Sequence, residues 1–185
     1  MKQKDVIPAG NEWLEENIRE FPGAPAKRIG DEWMLISAGD VSVDRGNWNT
    51  MTASWGGLGV LWSTDVAFCF IRPGRHTIGF VNAAPLFSLS FFSGGCHDAL
   101  VLCGAVSGRD KDKASDAGLT PVAFPDGSIG FREATEVITC EKLYTHDFDP
   151  SRFLVPGEIE VNYPEKDYHR MFIGKITAVR IRRRV

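Results

Sequence analysis

The sequence predicts a mainly β protein, a small barrel or sandwich closed to avoid exposed edges and carrying a few short helices. Three observations lead there. Runs of strand length, continuously apolar or alternating, recur along the chain between Gly and Pro breaks. Asp126-Gly127 is a hairpin signal between two such runs. Residues 170–182 alternate strictly enough to form a closing strand with one face inside. A length of 185 residues, 43% of them apolar and 11% aromatic, suits one compact domain.

In chain order, residues 1–26 form a polar, proline-punctuated arm. Within it Leu14, Ile18 and Phe21 follow helical spacing, which predicts a short helix from Asn11 to Phe21, capped by Asn11 and ended by Pro22, Gly23 and Pro25. Residues 33–38 read as a buried strand turned by Gly39-Asp40. Residues 47–54 follow as a second strand, breaking into a glycine-rich turn at Gly56, Gly57 and Gly59. Residues 66–71 are a third strand, broken by Arg72-Pro73-Gly74-Arg75, after which 77–83 read as a helix and 86–92 as a strand stopped by Gly94-Gly95. Residues 96–106 and 111–117 carry helical patterns, the second ending at Gly118, and should cover one end of the barrel. Strands are expected at 122–124, 128–131 and 135–144, then a long acidic loop at 145–168 before the closing strand.

Charge and composition exclude several function classes. With 21 basic against 24 acidic residues the net charge is −3, too balanced for a nucleic-acid surface or a polybasic membrane patch. No apolar run reaches signal-peptide or membrane-spanning length, so a cytoplasmic location is expected, without membrane or nucleic-acid partners. Cys69, Cys96, Cys103 and Cys140 contain no C-x-x-C pair and read as reduced packing thiols, not as a metal cage. Gly57-Leu58-Gly59 lacks the third glycine and the βαβ setting of a dinucleotide fingerprint, and no P-loop or nucleophile elbow occurs.

The most informative stretch is 47–62. In a strand, Thr50, Thr52 and Ser54 share one face and Met51, Ala53 and Trp55 the other, so hydroxyls line up beside a glycine-rich, tryptophan-flanked segment suited to close approach by a ligand. Asn49-Thr50-Met51-Thr52-Ala53-Ser54-Trp55-Gly56 resembles the opening motif of the flavin-reductase-like proteins, which bind FMN on a split β-barrel, and within them the flavoredoxin-like branch. The resemblance covers residues from Lys27 to about Arg180 and defines a domain at 27–185 beside the arm at 1–26.

Further pieces follow in the family's order. Arg72, Arg75, His76 and Thr77 offer cationic and hydroxyl donors at a strand end and helix start, which suits a phosphate dianion. The resemblance assigns this element to the flavin phosphate and ribityl chain, although His76 stands where many branch members have tyrosine. By the same resemblance the strand bearing Ser90, Phe91 and Phe92 passes the isoalloxazine. Gly108-Arg109-Asp110-Lys111-Asp112-Lys113 also matches the branch, but reads more simply as a helix start. His169, opening the closing strand with Met171, Phe172 and Gly174 after it, matches the family position near the reacting ring; His76, His97 and His146 have weaker claims.

The resemblance therefore implies an FMN-containing homodimer. Its expected activity is reduction of flavin by NADH or NADPH as a transient substrate, with electrons passed on to free flavin or another acceptor. The rival is a flavoredoxin-type electron carrier reduced by a partner protein; a third reading is a split barrel that binds no flavin.

Overall fold

A computed structural model of the chain describes residues 6–40 and 47–183. Of the residues in regular secondary structure, most are in strands. Eight strands form one sheet in the order β4 (Trp48–Ala53), β3 (Met34–Gly39), β7 (Leu86–Phe91), β10 (Glu136–Asp147), β11 (Arg170–Arg182), β6 (Thr64–Ile71) and β5 (Gly56–Leu61), with β2 (Trp13–Glu16) added beside β11. The two ends of this order, β4 and β5, are consecutive in sequence and joined only by Ser54 and Trp55. The chain thus steps from one edge of the sheet to the other, and the barrel closes at that step.

The period-two pattern sorts the core into two parts. Met34, Ile36 and Ala38 of β3 point inward with Phe87, Leu89 and Phe91 of β7, with Met51, Cys69 and Phe172 from other strands, filling the barrel. Leu35 and Val137 point outward, where they meet Leu100 and Cys103 of α3 (His97–Ala105), Ala114 of α4 (Lys113–Asp116), and a small second sheet. That sheet is β1 (Ile7–Pro8), β8 (Pro121–Ala123) and β9 (Ile129–Phe131). The Asp126-Gly127 hairpin therefore does not add barrel strands; it covers the barrel's outer face. Gly127 takes φ +83°, the left-handed conformation its turn demands.

The long pair β10 and β11 is antiparallel nearly throughout, with bulges after Thr139 and Lys142. The other edge of β11 is divided. Residues 170–175 pair with β6 and residues 179–182 with β2. The arm thus lies against its own barrel.

Several expectations change. The helix expected over 11–21 is instead β2 and a 3-10 turn at Ile18–Glu20, capped by Asn17, which accepts from the Arg19 amide, and not by Asn11. The free edge of β11 supplies β2 with hydrogen bonds that sequence periodicity cannot register, while Ile18 and Phe21 still pack on the barrel core. Pro25 opens α1 (Pro25–Gly30), because at the first helical position its missing N–H costs nothing. The glycine-rich turn is a strand, β5, paired along its length with β6; the reversal falls at Trp62 and Ser63, both with positive φ. Glycine is required in β5 for contact: a Cβ on Gly56 would lie 2.5 Å from the Phe68 carbonyl oxygen. The expected loop at 145–168 contains the end of β10, a 3-10 turn at Pro150–Arg152 and α5 (Pro156–Asn162). The segment after Asp40, where the first turn was expected to run, lies outside the described residues. α2 (Thr77–Ala83) and β11 have the expected bounds. All four cysteines are free, and burial pushes the Cys69 thiol up to about 12.

Candidate functional site

At the barrel seam, Met51, Thr52, Ala53, Ser54 and Trp55 wall one side of a cleft of about 190 Å³. Phe70 and Arg72 from the end of β6, Arg75 and His169 close the other side. Arg75 also borders a second hollow, of about 130 Å³, with His76, Thr77, Ser107 and Lys113. The two hollows share the Arg75 side chain as a common wall. The folding of β4 onto the β6–α2 turn therefore gathers sequence segments near 50, 75, 110 and 169.

Within the motif strand the hydroxyls are engaged by the protein itself. Thr50 Oγ1 donates to the Ile36 carbonyl oxygen and accepts from Ser37 Oγ, while Thr52 Oγ1 donates to the Leu100 carbonyl oxygen and so holds α3 to β4. Asn49 is buried and donates to Thr77 Oγ1, which donates on to the Thr50 carbonyl oxygen. Asn49 and Thr77 thus hold strand to helix. Gly108 is needed beside them, since a Cβ there would overlap the Asn49 side chain. Ser54 and the backbone of 51–55 face the cleft.

The hollow beside Arg75 is electropositive. Arg75 Nη1 donates to the Gly104 carbonyl oxygen at 2.7 Å, and Lys113 Nζ donates to the carbonyls of Cys103 and Thr50 at 3.0 and 3.1 Å. Neither has a carboxylate partner among the described residues. Lys113 is only 5% exposed; burial brings its pKa down to about 8, opposed in part by Cys103 and aided to a smaller extent by the charge of Arg75. Burial and then the charges of Arg109 and Lys113 lower His76 too. Two cations bonded only to carbonyl oxygens retain their charge for an anion.

Arg72 has different company. Its Nη1 donates to Asp167 Oδ1 at 2.5 Å and its Nη2 to the Asn162 carbonyl oxygen at 2.8 Å, and its guanidinium lies 5.1 Å from the Tyr163 ring centroid. That hydrogen bond holds the Asp167 carboxyl below its usual range. The His169 ring lies 4.7 Å from that of Trp55, centroid to centroid, and its Nδ1 is 2.9 Å from the Tyr163 hydroxyl. Burial and then the positive charge of Arg72 drive the His169 pKa down to about 4, so the imidazole is neutral at pH 7.

Ser90, Phe91 and Phe92 are not among the residues lining this cleft. Phe91 is in the barrel interior, Phe92 in the outer core, and Ser90 is buried on β7 with no partner for its hydroxyl among the described residues. His97 packs on Trp33 and His146 on Tyr144, away from the cleft walls. Asp112 does cap α4, accepting from the Ser115 amide, as the helix-start reading of 108–113 expects. Lys113, in the same element, turns instead to the hollow; its place in the matched motif was the signal that could have singled it out. Tyr163, within a stretch read as acidic loop, gave no local signal.

A seam cleft walled by aromatic rings thus lies beside a cationic hollow on a mainly antiparallel β-barrel. The chain belongs to the flavin reductase like domain family, whose model matches residues 27–185. Solved structures share the fold at low identity. A flavoredoxin from Methanosarcina acetivorans aligns with a TM-score of 0.61 at 19% identity, over 80% of this chain and 67% of that one. An FMN-binding protein from Thermus thermophilus with bound p-hydroxybenzaldehyde aligns at 0.62 and 23% identity, over 89% and 78%. An NADH:FAD oxidoreductase from Streptomyces globisporus, in complex with NAD and FAD fragments, aligns at 0.59 and 15% identity, over 80% and 73%. No curated protein sequence matches the chain. Among the described residues no helix is long and apolar enough to cross a membrane.

Proposed function

We propose that the protein binds FMN across the two hollows and catalyses its reduction by NADH or NADPH, electrons passing on to free flavin or another acceptor. The observation that carries this is the pair of cations, Arg75 and Lys113, bonded among the described residues only to carbonyl oxygens, beside an aromatic-walled cleft. Such a donor set fits a phosphate, and the cleft fits a flat ring system. When bound, FMN supplies the hydride- and electron-accepting chemistry.

The chain's own residues bind and orient. Arg75 and Lys113 would hold the phosphate, with the Thr77 end of α2 beside them. Backbone of 51–55 and the Ser54 hydroxyl would line the ribityl and ring path, and the rings of Trp55 and His169, tilted 43° to one another, supply an aromatic wall. A neutral His169 donates a hydrogen bond without bringing a charge into the cleft. No side-chain nucleophile is needed.

A cleft of about 190 Å³ is smaller than the roughly 300–1,000 Å³ of sites that enclose a whole ligand, and Trp55 is 41% exposed at its edge. A second copy of the chain covering the ring would complete the site, so a homodimer forms part of the proposal. Light scattering on the flavin-loaded protein should give twice the 20.5 kDa of one chain; a monomer mass at micromolar concentration overturns the dimer.

The function is tested by titrating the purified protein with FMN and then mixing the complex with NADH or NADPH in a stopped-flow instrument. Flavin fluorescence should change with one-to-one saturation, and absorbance near the flavin band should bleach in a single turnover. Absence of FMN binding defeats the reading. Binding without bleaching leaves the flavoredoxin-type carrier, reduced by a partner protein.

A further inference from the structure

We propose that Tyr163 is the positioning residue for His169, fixing the imidazole as a one-way donor whose Nε2–H is presented to a carbonyl oxygen in the cleft. This rests on the reading of the cleft as a flavin site. Tyr163 ends α5 and His169 precedes β11; both are buried, at 6% and 7% exposure. The phenol oxygen is 2.9 Å from Nδ1. Among the described residues Nδ1 is the one acceptor within hydrogen-bonding distance of this buried hydroxyl, so the phenol directs its proton there, which leaves Nδ1 as the unprotonated nitrogen. Nε2 carries the ring proton and is the nitrogen left for the cleft, where Trp55 packs at a tilt against the same ring.

The phenol is itself held from several sides. Arg72 sits over its ring and ties Asn162 and Asp167 on either side of it, so the guanidinium closes a bracket over residues 162–169. Phe153 and Tyr168 pack on the remaining ring surface. The charged groups acting on His169 are Arg72, Asp167 and Arg75, two cations against one carboxylate, a balance that disfavours an imidazolium. The donor therefore persists across neutral pH. Its complement is an acceptor oxygen, either a flavin ring carbonyl or the carboxamide of a nicotinamide.

The tautomer is readable directly in the full-length, uniformly 15N-labelled protein by two-bond 1H–15N correlation, with His169 assigned from the His169→Gln variant. The Nε2-protonated pattern is expected at pH 7; an Nδ1-protonated or imidazolium pattern overturns the proposal. In Tyr163→Phe the Nδ1 resonance should move downfield, as an acceptor nitrogen does on losing its hydrogen bond, and an unchanged resonance overturns the positioning role. If that variant does not fold, the wild-type pattern alone decides. A shift of Nε2–H on adding FMN identifies the flavin carbonyl as the partner, and a shift only on further adding NAD⁺ identifies the carboxamide. No shift in the FMN-loaded protein with NAD⁺ overturns the donor role. Failure to bind FMN at all defeats the flavin reading while the tautomer still decides the dyad.

Discussion

The Lys113 ammonium donates to the Thr50 carbonyl oxygen across 3.1 Å, tying the helix that follows the 108–113 element to the motif strand. The same side chain borders the hollow beside Arg75, so one buried charge serves the packing of β4 and faces the proposed phosphate site. Its lowered pKa, about 8, sits where pH can reach it.

FMN affinity should accordingly fall as pH rises above 8, because the free protein then loses a proton that the phosphate favours, while riboflavin affinity stays level. In Lys113→Met this pH dependence should vanish and FMN affinity drop about tenfold to a hundredfold, the value of roughly 1.5–3 kcal/mol for a charge-assisted bond. In the ligand-free protein the sign is opposite for stability. The unfolded chain, at 10.5, holds more protons than the folded one, so this group's contribution to stability rises between pH 8 and 10.5. Fluorescence titrations and urea melts at pH 7 and 9.5 measure both.

Arg75 and Arg72 should separate cleanly. Arg75→Ala should weaken FMN by about tenfold to a hundredfold and riboflavin far less, since only FMN has the phosphate. Arg72 is committed to Asp167, Asn162 and Tyr163 and itself lines the cleft, so Arg72→Ala should weaken both ligands alike, through loss of that wall. Paired titrations with the two flavins decide, and a phosphate-selective loss in Arg72→Ala would show that the guanidinium leaves Asp167 for the ligand.

His169→Ala should retain FMN yet slow its single-turnover reduction, measured per flavin-loaded protein. With the His169 pKa near 4, the wild-type rate constant should show no histidine titration between pH 5.5 and 8. The folded pKa lies below the unfolded 6.5, so the unfolded chain takes up the proton first. Stability from this group is complete above pH 6.5 and is lost as pH falls towards 4, by up to about 3 kcal/mol. Thermal melts of His169→Gln should be correspondingly less acid-sensitive.

Gly108→Ala places a methyl group into the Asn49 side chain and so strains the Asn49–Thr77 bond that joins β4 to α2. A loss of about 1–3 kcal/mol in urea unfolding is expected, with FMN affinity reduced as well. An unchanged midpoint would mean that the loop carrying Gly108 moves aside freely.

Much of the barrel was legible because β3, β6, β7 and β11 are buried or alternating runs whose side chains meet one core. The residues 51–55, 72, 75 and 169 were legible as a group only through a resemblance, and the structure brings them to one cleft. What local pattern misrepresents is the reason for a residue type. The threonines of β4 read as ligand hydroxyls, yet Thr50 and Thr52 satisfy carbonyls of β3 and α3. Leu14, Ile18 and Phe21 have helical spacing, yet the edge of β11, where Leu14 pairs with Ile181 far along the chain, recruits the arm as β2. Tyr163 acquires its role only when α5 is brought beside β11, which no spacing in 145–168 encodes.

Since Ser54 and Trp55 alone carry the chain from one border of the main sheet to the other, the barrel's weakest line and its ligand cleft are the same place. Transient parting of the seam between β4 and β6 is then indistinguishable from opening a doorway, and a ligand lodged there acts as a bolt across it. Residence time and amide exchange of residues 53–58 should be two readings of one clock, with occupancy slowing exchange along this hinge line and leaving the far wall at β10 and β11 untouched.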